Sequence, residues 1–329
     1  MFVQHFDASV GFMGRFAPLG DAMVTTTPGS SFKIAFCGKS IVLHFDIADC
    51  VAPYPHIWVQ IDGGMRAETQ VDRWIRFEVP TDGKHVCTVV YKGGNEQHNR
   101  WSAPLQGKVA FLGYDADATA KLSEDNRKSI EFLGDSITEG VLIDTDFNSG
   151  DVPLSTAVFD VMRCYQDDVC ATYAWQTAEA LNLRPIFMGY GAVGVTRAGA
   201  GDVPAAPKSY PYNFDGSPIT HTSADYILIN HGANDRANGM ERYLQNYEEL
   251  LDVIRSRNPS SVIISLSAFV GTFHEELGKM IENYNQKHNC PVHYIDSYGW
   301  VPAAPLHPLR KGHNTVAKNL IPKMREIVK

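Results

Sequence analysis

Near residue 125 the hydrophobic pattern of this 329-residue chain changes period, and that change restricts the folds open to it. The first part holds short alternating runs, Ser31–Phe36, Ser40–Asp46, His56–Asp62, Trp74–Val79 and His85–Tyr91, broken by Asp62-Gly63-Gly64, Thr81-Asp82-Gly83 and Lys92-Gly93-Gly94. Alternation puts every second side chain on one face, so these runs predict half-buried strands, and their spacing without a helical period predicts a β-sandwich or jelly roll. Beyond the polar stretch Asp115–Arg127, strand-length apolar runs (Ile130–Leu133, Pro185–Met188, Tyr226–Asn230, Val262–Leu266, Val292–Ile295) alternate with helical stretches (Tyr173–Leu183, Met240–Arg257, His274–His288 and a last helix from about Asn314). That order predicts a parallel sheet covered on both faces, an α/β fold of three layers, α/β/α. Two domains are expected, 1–125 and 126–329, with the linker near 116–128.

The 240–257 stretch has the clearest helical face, with Met240, Tyr243, Leu244, Tyr247, Leu250, Leu251 and Ile254 at helical spacing. The last helix carries Val316, Leu320, Ile321, Met324 and Ile327, and Pro322 is expected to kink it. Two long Gly/Pro-rich insertions, at about 143–170 and 197–222, leave strand ends and are expected to be binding loops or lids unless they are disordered.

The composition excludes several classes. A charged fraction of 20% and a hydrophobic fraction of 44% are those of a soluble globular protein, and a net charge of -8 argues against nucleic acid as a partner. No 18-residue apolar stretch occurs, so no membrane span is expected. The start, Met-Phe-Val-Gln-His-Phe-Asp, lacks a basic head and apolar run, which places the protein in the cytoplasm, although a chain trimmed of its leader would read the same. The six cysteines lack metal spacing and are expected to be reduced thiols, with Cys164 and Cys170 the pair to examine first. Asp144-x-Asp-x-Asn148 has Ser149 and Ser155 where a calcium loop needs Gly and Glu, so neither metal nor cofactor is expected. Nothing in the sequence speaks to oligomeric state.

Chemistry gathers around Glu131-Phe-Leu-Gly-Asp-Ser-Ile-Thr-Glu-Gly140. A buried strand ending in Gly134, Asp135 and Ser136 presents one hydroxyl at its C-terminal end, where ligands of parallel sheets bind. Ser136 reads as a nucleophile or, more plainly, as a helix N-cap. A nucleophilic serine needs a base and oxyanion donors, and later strand ends supply candidates. These are Gly189-Tyr-Gly-Ala-Val-Gly-Val-Thr196, Asn230-His-Gly-Ala-Asn-Asp-Arg236 and Pro305-Leu-His-Pro-Leu-Arg-Lys-Gly-His313.

The ordered set Gly-Asp-Ser, Gly-x-x-Gly, Gly-x-Asn-Asp and His-Pro over residues 128–329 resembles the SGNH (GDSL-type) hydrolases. The resemblance implies Ser136 as nucleophile, His307 as base, and an oxyanion hole of Gly194, Asn234 and Ser136, with Gly191 competing for the backbone donor. It implies ester hydrolysis. Most of that superfamily has an Asp three residues before the histidine, but here that position is Ala304, which implies a Ser–His dyad with a backbone carbonyl orienting the imidazole. A missing Asp behind a β-sandwich, with Met13-Gly-Arg-Phe16, Pro28-Gly-Ser-Ser31, Ile61-Asp-Gly63 and Asp82-Gly-Lys-His85, resembles the second family of carbohydrate esterases. That implies removal of acetyl groups from plant-type saccharides such as xylan and glucomannan, with an acetylated saccharide as partner. Trp300 and Tyr190 are the candidate substrate contacts, Trp300 reading equally as a ring that stacks on a sugar, fills the gap left by the absent Asp, or packs in the core. His313 and His231 are expected to be structural. The competing readings are a short-chain esterase or lysophospholipase, and a carbohydrate-binding protein whose hydrolase site has lapsed.

Overall fold

The computed structural model describes residues 1–144, 164–220, 223–289 and 291–328. Two six-stranded antiparallel sheets form the N-terminal part. One is built on Val109–Asp115, Ser40–Phe45 and Trp74–Glu78, the other on Ser31–Cys37, Lys84–Gly93, His56–Ile61 and Arg66–Gln70. Their inner faces meet through the alternating residues the sequence singles out, among them Phe32, Ile34, Phe36, Ile41, Leu43, Phe45, Ile57, Val59, Cys87 and Val89. This is a sandwich, as the alternation requires. Val109–Asp115, a central strand, carries no alternation because it is buried along most of its length. Ala118–Thr119 still pairs with Ser31–Cys37, and the next strand begins at Ser129.

The second part is a five-stranded parallel sheet in the order Arg184–Gly189, Ser129–Gly134, Tyr226–Asn230, Val262–Leu266, His293–Ile295. Ser129–Gly134 is its first strand in sequence and lies second in space. Chain direction across the sheet reverses there, so the crevice at its C-terminal end is where this topology binds ligands. Strand residues alternate between two apolar layers. Ile130, Phe132, Leu228 and Ile264 pack under Tyr173–Ala180 and Arg310–Ile327. Leu133, Ile227, Ile229 and Ile263 pack under Met240–Arg257 and His274–Lys287.

In the helix Met240–Arg257, Tyr243, Tyr247, Leu250, Leu251 and Ile254 are buried as the periodicity predicts, each contributing about 1.5–3 kcal/mol of burial. Met240, expected on that face, is instead 44% exposed at the first turn. The last helix starts at Arg310, four residues before the expected Asn314. Its first turn is mostly exposed and carries no apolar period, so the sequence pattern becomes visible only further along. Helical geometry continues through Pro322, whose side is exposed.

Buried charged side chains join the halves. Arg15 of the sandwich meets Glu131 of the first parallel strand through Nη2 at 2.8 Å and Nε at 2.9 Å, and Tyr210 Oη donates to the same carboxylate at 2.9 Å. Lys92, also buried, donates to the carbonyls of Cys164, Tyr165 and Asp167 at 3.0, 3.0 and 2.7 Å and pairs with Glu68.

Candidate active site

The strand Ser129–Gly134 is buried throughout and ends in a sharp turn. Gly134 is required there, because a Cβ would lie 2.1 Å from Thr138 Oγ1. Asp135 caps the single-turn helix Ser136–Glu139 by accepting the Ile137 N–H at 2.9 Å, and Gly140 closes it in the left-handed region at φ 85. Ser136 itself is 5% exposed and is the first helical residue, not the cap. Its N–H therefore has no acceptor within its own helix. Burial, first of all, pushes the Asp135 carboxyl up to about 7; the Ile137 N–H opposes this, while Asp235, Glu139 and Glu96 add to it.

His307 arrives from 171 residues away and places Nε2 2.8 Å from Ser136 Oγ, the separation a general base needs. The segment after it is tied down from two sides. Arg310 donates through Nε to Asp144 Oδ1 at 2.8 Å, reaches Asp168 Oδ2 at 3.4 Å, and gives its backbone N–H to the Ile143 carbonyl. Asp168 also accepts the Trp58 indole N–H of the sandwich at 3.0 Å. His313, 1% exposed, accepts the Tyr173 N–H on Nδ1 at 3.1 Å, so its proton resides on Nε2. Burial above all, then His307 and Arg310, push this imidazole down to about 3. It is a neutral strut under the His307 loop. The alanine at 304 joins Pro305 through a cis peptide bond.

The glycine-rich and Asn-Asp segments meet beside this pair. Asn234 donates one of its two amide hydrogens to the Val193 carbonyl at 3.0 Å. Asp235, fully buried, accepts the N–H groups of Val195 and Thr196 at 3.2 and 2.9 Å and the Thr196 hydroxyl at 2.5 Å. Asn238, in the turn before the helix Met240–Arg257, donates to Thr196 Oγ1, and Asn246 of that helix to the Val195 carbonyl. Gly194 is required because a Cβ would lie 2.5 Å from the Asp235 carboxylate. Its N–H, expected to face an oxyanion, donates instead to the Arg197 carbonyl at 3.1 Å and closes a turn. Asp235 was invisible as a site residue in the sequence, although it stands next to Asn234 in the motif.

Tyr190 is not placed to meet a substrate. Its ring is 2% exposed, and its hydroxyl lies 2.9 Å from both Thr26 Oγ1 and Thr27 Oγ1 of the sandwich. It is a brace between the halves, a role set by long-range contacts that no local pattern reports. Trp300 is partly buried, packs against the core beside Leu306, and gives its N–H to the Ser297 carbonyl at 3.1 Å. His231 is fully buried, and burial pushes its imidazole down to about 4. Cys37, Cys50, Cys87 and Cys170 are free thiols and Cys164 Sγ donates to the Pro53 carbonyl at 3.8 Å, whereas Cys290 and most of the Asp144–Ser155 acidic loop lie outside the described residues. Among the described residues no cluster of His, Cys, Asp or Glu has the geometry of a metal site, and no helix is long and apolar enough to cross a membrane.

The family model for GDSL-like lipases and acylhydrolases matches residues 132–315, more than half of the chain. No curated protein matches. Among solved structures, a family two carbohydrate esterase from Cellvibrio japonicus superposes with a TM-score of 0.81 at 20% identity, covering 99% of this chain and 97% of its own. An acetyl xylan esterase from the rumen bacterium Butyrivibrio proteoclasticus gives 0.77 at 18% identity, covering 100% and 98%. A family two carbohydrate esterase from Clostridium thermocellum, in complex with cellohexaose, gives 0.76 at 18% identity, covering 97% and 99%. The two-part architecture is therefore shared along the full length of these chains.

Proposed function

The chain belongs to the GDSL-like lipase/acylhydrolase family, and from that premise we propose that it is a serine esterase removing O-acetyl groups from plant-type saccharides. The observation that carries the reading is the 2.8 Å approach of His307 Nε2 to Ser136 Oγ at the switch point of the parallel sheet. Ser136 Oγ attacks the acetyl carbonyl while His307 takes its proton. The same imidazolium gives that proton to the departing sugar oxygen, which leaves as a hydroxyl with acetyl-Ser136 behind it. Water, deprotonated by His307, then releases acetate and regenerates the serine.

The oxyanion of each tetrahedral step is held by the Ser136 N–H and the second amide hydrogen of Asn234. Gly194 is not carried forward as a donor, since its N–H serves Arg197. With alanine at 304, the serine and histidine work without an acid three residues before the base. Trp300, in the loop leading to His307, is the proposed stacking surface for a sugar ring. The substrate class rests on the likeness to carbohydrate esterases, one of them an acetyl xylan esterase and one bound to cellohexaose.

Acetate release from acetylated manno-, xylo- and gluco-oligosaccharides, with products read by mass spectrometry, tests this directly. Wild type is expected to release acetate, and Ser136→Ala and His307→Ala to lose at least about a thousandfold in kcat/KM. Wild-type rates from Ser136→Ala would sink the mechanism, and preference for octanoyl over acetyl p-nitrophenyl esters would replace this substrate class with that of a lipase.

A further inference from the structure

Residues 95–101 of the sandwich cross to the catalytic half and lie against the turn that carries Ser136. The Arg100 N–H donates to the Gly201 carbonyl at 3.0 Å, and the Glu96 carboxylate occupies the space a side chain at Gly191 would need. Arg100 itself is fully buried. Its Nη1 bonds Glu139 Oε1 and its Nη2 lies 3.3 Å from Glu139 Oε2, while its guanidinium carbon sits 5.1 Å from the centre of the Tyr190 ring. Tyr190 is in turn fixed by Thr26 and Thr27. Glu139 is 1% exposed and ends the single-turn helix that Ser136 begins. The space beside its backbone is tight, since a Cβ on Gly189 would lie 2.7 Å from the Glu139 nitrogen.

A bidentate, desolvated arginine pair fixes geometry as well as charge. The charge is what the reaction needs. Asp235, Glu139 and Glu96 all act on Asp135, the residue before Ser136, so acidic groups gather at the nucleophile turn. Ester attack builds negative charge on an oxygen beside Ser136, and an unpaired carboxylate one helical turn away opposes it. Burial on its own would push the Arg100 guanidinium down, but Glu139 more than offsets this and holds it charged.

We propose that Arg100, contributed by the sandwich, is a positioning residue for ester cleavage that acts through Glu139, holding the Ser136 turn in place and neutralising the carboxylate next to it. The proposal rests on the reading of Ser136 as nucleophile and extends it: the sandwich becomes part of the catalytic unit. Nothing in the sequence pattern points to this pair, because Arg100 lies in a turn-rich segment and Glu139 reads as an ordinary helical residue.

The test uses the full chain, an aryl acetate substrate, and kcat and KM across pH for Arg100→Met, Arg100→Lys, Glu139→Gln and the double variant Arg100→Met/Glu139→Gln. Arg100→Met is expected to lower kcat about tenfold or more with KM within about twofold, the split that marks an interaction felt in the transition state. The Glu139 carboxylate, relieved of the Arg100 charge, favours the protonated imidazole, so the acid limb of the rate profile moves to higher pH. Glu139→Gln leaves an extra positive charge, and its acid limb moves to lower pH. Arg100→Lys recovers part of kcat, and the double variant brings the limb back toward wild type. A folded Arg100→Met with wild-type kcat and acid limb overturns the proposal. So does movement of the limb in the same direction by both single variants, which marks loss of packing only. Should Arg100→Met not accumulate as folded protein, an unmoved acid limb in Glu139→Gln overturns it equally. Ser136→Ala separates the two readings: activity in that variant contradicts the nucleophile assignment, whereas an inactive Ser136→Ala beside an unaffected Arg100→Met contradicts only the role of Arg100.

Discussion

Asp135 and His313 flank the Ser136–His307 pair, and both are driven toward their neutral forms by burial. For Asp135, folding favours the protonated carboxyl, so its contribution to stability is full below the ordinary value of 3.8 and is lost as pH rises toward about 7. Asp135→Asn keeps the oxygen that caps Ile137 and removes the titration. At pH 8 it is expected to be more stable than wild type by roughly 1–3 kcal/mol, with the advantage disappearing below about pH 4. Urea unfolding at a series of pH values checks this, and an advantage independent of pH would contradict it. His313 has the opposite sign: folding favours the neutral ring, so its contribution is present above 6.5 and is lost as pH falls toward about 3. His313→Gln should flatten the acid side of the same stability curve, and an unchanged acid slope would show that another group sets it. Among these residues, the contact between Ser136 and His307 was legible because their motifs come in order along the chain. Tyr190, expected to touch substrate, is buried against Thr26 and Thr27, partners that lie far off in sequence and leave no local trace.

Elements were legible where burial imposes a period. Tyr226–Asn230, Val262–Leu266 and Met240–Arg257 have the bounds read from the sequence, because each presents a continuous buried run or one apolar face. The short sandwich strands Val10–Met13, Ala17–Leu19 and Ala22–Thr25 escaped notice; each spans three or four residues, too few to display alternation. The last helix continues through Pro322, where the ring leaves one backbone hydrogen bond absent. Restoring it in Pro322→Ala, at an exposed position, should stabilise the protein by about 1–3 kcal/mol in thermal or denaturant unfolding. A loss of stability would mean that the local backbone has adapted to the ring.

At the scale of the molecule, the change of hydrophobic period near residue 125 announced two architectures but not their interdependence. Arg15–Glu131 and Arg100–Glu139 are buried where the halves meet, and such pairs are recognised only in three dimensions. Removing one partner strands the other charge in a dry interior. Glu131→Ala should therefore cost about 3–5 kcal/mol, and wild-type unfolding followed by fluorescence and by circular dichroism should give one coincident transition. Two separated transitions would show that the halves fold independently despite these pairs. The central claim, that Ser136 carries the acyl group, is tested most directly by intact-mass and peptide mass spectrometry after rapid mixing with an activated acetyl ester. The account predicts one added acetyl group, on the peptide containing Ser136, absent from Ser136→Ala and formed far more slowly in His307→Ala. An adduct on another residue, or acetate release by Ser136→Ala at the wild-type rate, would contradict it.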